Sequence, residues 1–264
     1  MMQVFATTAL VLIAASAAVQ TVFLLIRGET RDPVSHWALL AACVLLFAVT
    51  VERSILIRFP AVTNMYESLV FFSAVICLAG FALRLFLKSA ASRFILPGVT
   101  FVALALLSIS SSPLVPREIQ PPIPALQSLW LVLHVTLAFI GEAFFVVSVA
   151  AAVVFLAARR EETRAAADRI AYSSVAAGYP IFTVGALIFG AVWAEVAWGT
   201  WWSWDPKETW SLVTWLVYTA CLHTRLVKRL RGTISAVLAI VGFASTIFTF
   251  FGVNFLLSSL HGYG

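Results

Sequence analysis

Long apolar runs broken by short polar turns make up almost the whole chain. Eight can be read, at about residues 3–26, 37–57, 67–87, 94–109, 129–158, 175–197, 209–226 and 234–257. A helix needs roughly 20 apolar residues to cross a bilayer, so each run predicts a membrane span. The run at 94–109 is short and holds Pro97 and Gly98, while 129–158 is long enough to tilt or to project. Only residues 110–128 form a longer connection. Pro113, Pro116, Pro121, Pro122 and Pro124 make it extended rather than helical. The expected fold is all-α, a polytopic bundle of about eight transmembrane helices, read as one integral membrane domain over residues 1–264.

Composition agrees with this pattern. The chain is 62% hydrophobic and 11% charged, too little charge to cover a soluble domain of this length. The net charge of +5 does not indicate a nucleic-acid partner, because the basic residues sit in short turns beside a lipid bilayer. Residues 14–18, Ala-Ala-Ser-Ala-Ala, could pass for a signal-peptide cleavage region. The apolar run continues to Ile26 without a basic start, which favours a first span. Thirteen of the seventeen lysines and arginines fall on one side of the predicted spans. The positive-inside rule makes that side cytoplasmic and places both termini outside.

The Trp-rich loop at about 198–210 also falls outside. Five of the nine tryptophans occupy this segment, Trp198-Gly-Thr-Trp-Trp-Ser-Trp-Asp-Pro-Lys-Glu-Thr-Trp210. An aromatic belt accounts for one or two tryptophans at a helix end. Five in one loop suit a platform for a large flat apolar ligand with a polar edge, and haem is the obvious biological candidate. The residues alone leave both readings open.

Imidazole is a common axial ligand to haem iron. His134 lies about five residues into the fifth run and His261 lies in the outer tail, so the two bracket the Trp-rich loop. His223 is fourteen residues down the seventh run, about 21 Å from its outer end, against about 8 Å for His134, too deep to share an iron with the outer pair. It marks a second haem position or a packing contact. His36 reads as interfacial. Glu142, near the middle of the fifth run, is a polar cavity residue or a helix-packing contact. Glu52 and Arg53 could pair with each other or meet a ligand edge. Arg53, Arg58, Arg117 and Lys207 are outer cations able to meet haem carboxylates, or solvated loop charges. Cys43, Cys77 and Cys221 each lie inside an apolar run without a Cys-x-x-Cys, which argues against redox or zinc chemistry.

Residues 198–208 resemble the tryptophan-rich WWD signature of a haem-handling protein superfamily that includes the CcsA (ResC), CcmC and CcmF families. Phe59-Pro-Ala-Val-Thr-Asn-Met-Tyr-Glu-Ser-Leu69, Gln127-Ser-Leu-Trp-Leu-Val-Leu-His134, Leu222-His-Thr-Arg225, Phe251-Gly-Val-Asn254 and Leu260-His-Gly-Tyr-Gly264 favour the CcsA family. The resemblance covers about residue 55 onward. It implies a membrane subunit of a cytochrome c synthetase that exports haem b and supports its attachment to CXXCH cysteines of apocytochrome c. It implies a CcsB (ResB)-like partner subunit and residence in a bacterial inner or thylakoid membrane. By the same resemblance, His134 and His261 are the outer axial pair, His223 a transmembrane ligand, and Trp198, Trp201, Trp202, Trp204 and Asp205 the haem-holding loop. No general acid is assigned. The alternatives are a haem binder without ligation activity, either a CcmC-like handler or a HemX-like regulator, and an unrelated transporter whose tryptophans are interfacial.

Overall fold

The computed structural model describes residues 1–26, 32–87, 89 and 91–257. Among them there is no strand. The helices are α1 (Met2–Ile26), α2 (Ser35–Ile57), α3 (Met65–Phe86), α4 (Ser92–Ser110), α5 (Leu129–Ala157), α6 (Glu161–Phe182), α7 (Gly190–Trp198), α8 (Pro206–His223), α9 (Thr233–Ile247) and α10 (Val253–Leu256). A π-helical stretch, Thr183–Phe189, joins α6 to α7 without a break, and another, Phe248–Gly252, joins α9 to α10. The ten elements therefore make eight rods.

Seven rods are long and apolar enough to cross a membrane, against the eight expected. The exception is α8. Its 18 residues open on Lys207 and Glu208, and threonines, tyrosine and tryptophans interrupt its apolar run. The sixth rod differs at its start. Residues 161–174, which fall between the fifth and sixth apolar runs, are helical, so that rod runs 38 residues from Glu161 to Trp198. Charges on a helix that leaves the lipid lower the hydropathy without ending the hydrogen-bond ladder. In α4, Pro97 removes one ladder bond near the start and the helix continues.

The chain divides into two compact units, Met1–Pro122 and Ile123–Gly264. In the first, α1 packs on α2 and α4, and α3 packs on α2 and α4. The Thr63-Asn-Met-Tyr-Glu67 stretch organises its polar interior. Asn64 caps α3 by accepting from the Glu67 backbone N–H at 2.9 Å. The Glu67 carboxylate accepts from Arg53 Nε at 2.7 Å, and from Thr63 N and Oγ1 at 2.9 and 3.0 Å. Arg53 also donates to the Arg117 and Glu118 carbonyls of the proline-rich connection. Arg53 is only 3% exposed and Glu67 2%. Arg53 is therefore neither a solvated loop charge nor the partner of Glu52. It is half of a buried ion pair that ties α2, α3 and the connection together.

In the second unit α5 packs against α6, the first π stretch, α7 and α9, and α8 packs against α6 and α9. Lipid offers apolar side chains no less than a neighbouring helix does, so close backbone approach and polar contacts decide the packing. A Cβ on Gly178 would lie 2.7 Å from Phe144 Cβ and 2.8 Å from the Gly141 carbonyl, so glycine is required where α5 and α6 meet. Ser148 Oγ donates to the Ala171 carbonyl at 3.0 Å across the same interface.

Candidate functional site: an aromatic cavity beneath the tryptophan loop

The loop is built by helix-terminus chemistry. Gly199 ends α7 in the left-handed region at φ 74°, which glycine adopts without strain. Asp205 then starts α8. Its side chain accepts from Lys207 N at 3.0 Å, and the Glu208 carboxylate reaches back to Asp205 N at 3.3 Å and Ser203 N at 2.8 Å. This is a capping box with Pro206 at the first helical position. Asp-Pro-Lys-Glu is thus, in the first instance, a device that fixes the loop backbone. The spacing Asp205-x-x-Glu208 with Pro206 at the first helical position is a helix-start signal readable from sequence.

The fixed loop displays its indoles. Trp204 holds φ 60°, costly for an aromatic residue, and is 68% exposed, while Trp201 is 59% exposed. Trp202 is half-buried and meets Trp204 edge-on at 5.8 Å. Trp198 turns inward. It packs edge-on against the buried Trp193 at 6.0 Å, and its buried Nε1 has no hydrogen-bond partner.

His134, six residues into α5, stacks on Trp193 with rings 10° from parallel at 6.2 Å. Its Nδ1 lies 2.9 Å from the Gly185 carbonyl, in the π stretch. A carbonyl only accepts, so Nδ1 carries the proton and the lone pair of the neutral ring is on Nε2. Close approach makes this bond possible. A Cβ on Gly185 would sit 2.5 Å from Ala138 N, and one on Gly190 would sit 3.0 Å from His134 Nδ1. Neither these glycines nor Trp193 stands out in the sequence, because each meets His134 from more than fifty residues away.

His134 lines a cavity of about 110 Å³ with Phe139, Glu142, Phe182, Trp202, Lys207 and Phe250 among its walls. Burial lowers the Lys207 ammonium to about 8, partly opposed by the Asp205 carboxylate. The structure therefore brings His134, Trp202, Lys207 and Glu142 to one space. Trp198, Trp201, Trp204 and Asp205 belong to the loop above it and do not line it. His223 is at the opposite end of α8, seventeen residues or about 26 Å from Pro206. It is exposed, and its Nδ1 lies 2.8 Å from the Thr219 carbonyl one turn back, which again puts the lone pair on Nε2. His261 lies outside the described residues, as does the tail after Leu257. Among the described residues no cluster of His, Cys, Asp and Glu has metal-site geometry, and the three cysteines are buried and free.

An all-helical membrane bundle with a histidine-bearing aromatic cavity under a capped tryptophan loop defines the class. Residues 62–261 match the family described as Cytochrome C assembly protein. A cytochrome c biogenesis protein CcsA of Guillardia theta is 30% identical over 88% of this chain and 85% of its own length. That of Prochlorococcus marinus (strain NATL2A) is 38% identical over 78% and 77%. The match to CcsA of Chlamydomonas reinhardtii, 41% identical, covers 56% of this chain and only 45% of that longer protein. A solved structure titled Cytochrome c Heme Lyase CcmF shares the fold at a TM-score of 0.61 and 21% identity, over 98% of this chain and 47% of its own. The chain belongs to the CcsA family of cytochrome c biogenesis proteins.

Proposed function

We propose that the protein is the membrane subunit of a cytochrome c synthetase that receives haem b, holds it beneath the tryptophan loop outside the membrane, and supports its attachment to the CXXCH cysteines of apocytochrome c. The observation that carries this reading is the His134 imidazole. It is oriented by the Gly185 carbonyl and a stacked Trp193, in the tautomer that carries its lone pair on Nε2, the form that ligates iron. The residues fit such a cargo. The walls are aromatic and apolar, a lysine stands at the mouth, and indole faces are exposed above. The cavity is smaller than the roughly 300–1,000 Å³ of ordinary ligand pockets. The macrocycle therefore lies partly outside it, against Trp201, Trp202 and Trp204.

Bound haem supplies vinyl groups that accept the cysteine thiols. The chain's own residues orient the macrocycle, exclude water and set its ligation. His261 serves as the second outer ligand and Trp198 as a support of the loop, with Asp205 holding the loop backbone. His223 marks a separate haem position toward the cytoplasmic side, completed by a CcsB-like partner. Its exposure on the outside of the bundle supports a ligand shared with another chain. The functional test is co-expression with a CcsB-like subunit and an apocytochrome, read by covalent-haem stain. His223→Ala lowers haem reaching the outer site at least tenfold while added haem still binds at His134. Normal covalent haem in that variant contradicts the two-position reading.

Lys207 gives a pH signature. Its ammonium is charged below about 8, so affinity for the dicarboxylate haem falls as pH rises through that value. A charge-assisted hydrogen bond is worth about 1.5–3 kcal/mol, so the fall is about tenfold or more. Haem titration from pH 6.5 to 9.5 shows the step, and Lys207→Arg removes it by staying charged throughout. An unchanged step in Lys207→Arg places the titrating group elsewhere.

A further inference from the structure

Glu142 is the group in the cavity that haem holding leaves without a task. It sits at the middle of α5, eight residues beyond His134 and about 12 Å further along the helix axis, and both side chains line the same cavity. Among the described residues its carboxyl makes no hydrogen bond or ion pair. Behind it is Tyr218, wholly buried, its hydroxyl without a partner and its ring stacked on Phe145 at 3.7 Å. A packing contact would pair such a carboxyl. A carboxyl left open to a cavity in the middle of a membrane helix belongs with proton-handling sites.

We propose that Glu142 couples reduction of a haem held at His134 to uptake of a proton at its own carboxyl. The proposal rests on the haem reading of His134. One electron from an external one-electron reductant enters the bound haem, one proton from solvent enters the Glu142 carboxylate, and no other bond forms or breaks. The electron lowers the charge of the macrocycle by one. Across about 12 Å, at an effective dielectric constant of roughly 20, that raises the proton affinity of the carboxyl about tenfold. Burial keeps salt from screening the effect. Ser211 and Thr249, in the same cavity wall, give the proton hydroxyl partners on its way from the mouth. The other titratable or charged groups facing this space are His134, Lys207 and Glu208 on the cavity wall and Tyr218 behind it. The facing residues of α6, the π stretch and α7 are uncharged. Glu142 is a positioning residue in this scheme, since it acts on the haem through its charge without ligating it.

The test is spectroelectrochemical titration of the full chain loaded with iron protoporphyrin IX, between pH 5 and 10. In the natural protein the midpoint potential falls between an acid and an alkaline plateau, and a tenfold coupling separates the plateaus by about 59 mV. Glu142→Gln loses the part of that step that Glu142 supplies, about 59 mV, leaving only the contribution of Lys207, and retains the haem spectrum. Glu142→Asp, which keeps a carboxyl, retains it. Lys207 and Glu208 are shared by all these proteins, so the difference between curves isolates Glu142. The same step in Glu142→Gln as in the natural protein, or no step in either the natural protein or Glu142→Asp, overturns the proposal. A low-spin haem spectrum unchanged in His134→Ala overturns instead the haem assignment beneath it, and is read separately from any potential.

Discussion

Substituting His134 by Ala is expected to abolish the low-spin haem signal of the purified protein and to stop cytochrome c assembly. Loss of an outer-shell partner of a metal-bound histidine already costs 10–100-fold in metal affinity, so loss of the ligand itself costs at least ~100-fold. The packing predicts that the protein survives the change. His134 is half-buried at one end of α5, and the α5–α6 interface deeper in the bundle does not involve it. Added imidazole can enter the space the side chain vacates and restore the spectrum. It does so less well than His134, because it lacks the tether and must find Gly185 and Trp193 from solution. Absorption spectra at matched protein levels, with and without imidazole, measure both effects. Retention of the full signal would remove His134 from the site.

Glu67→Gln is expected to produce the largest loss of stability. Arg53 would keep its buried charge and lose the carboxylate that neutralises it. Breaking a buried pair from one side costs about 3–5 kcal/mol. Replacing both partners by apolar residues of similar size, Arg53→Met with Glu67→Leu, costs much less, because no uncompensated charge remains. Thermal unfolding in detergent separates the two: a large fall in Tm for Glu67→Gln and a partial recovery in the double variant. Equal loss in both would mean that the hydrogen bonds to the Arg117 and Glu118 carbonyls, rather than charge neutralisation, hold the proline-rich connection.

Much of the architecture is legible in the hydrophobic pattern, because a bilayer demands runs of a fixed length. The ends of α1, α2, α3 and α5 fall within two residues of those expected. The pattern fails where polarity and helicity part company. Glu161–Ile170 is helical although charged, and α8 is a full rod although too polar to count as a span. His134 and the tryptophan loop stand out by residue type and spacing. What surrounds them does not. The Gly185 carbonyl has no sequence signal, and Trp193 looks like one more membrane tryptophan. Arg53 looks like a loop charge because its partner, Glu67, lies fourteen residues away across a turn. Asp205 caps α8, and that helix-start pattern is legible in the four residues Asp205–Glu208.

The most direct test of the account is a structure of the full chain, with iron protoporphyrin IX, in a membrane-mimetic particle. The account predicts iron at a coordination distance of roughly 2 Å from His134 Nε2. It also predicts that His134 Nδ1 stays on the Gly185 carbonyl, and that the macrocycle lies against the indoles of Trp201, Trp202 and Trp204. A haem bound elsewhere, with Nε2 of His134 turned into the bundle and the tryptophan loop facing lipid, would contradict it.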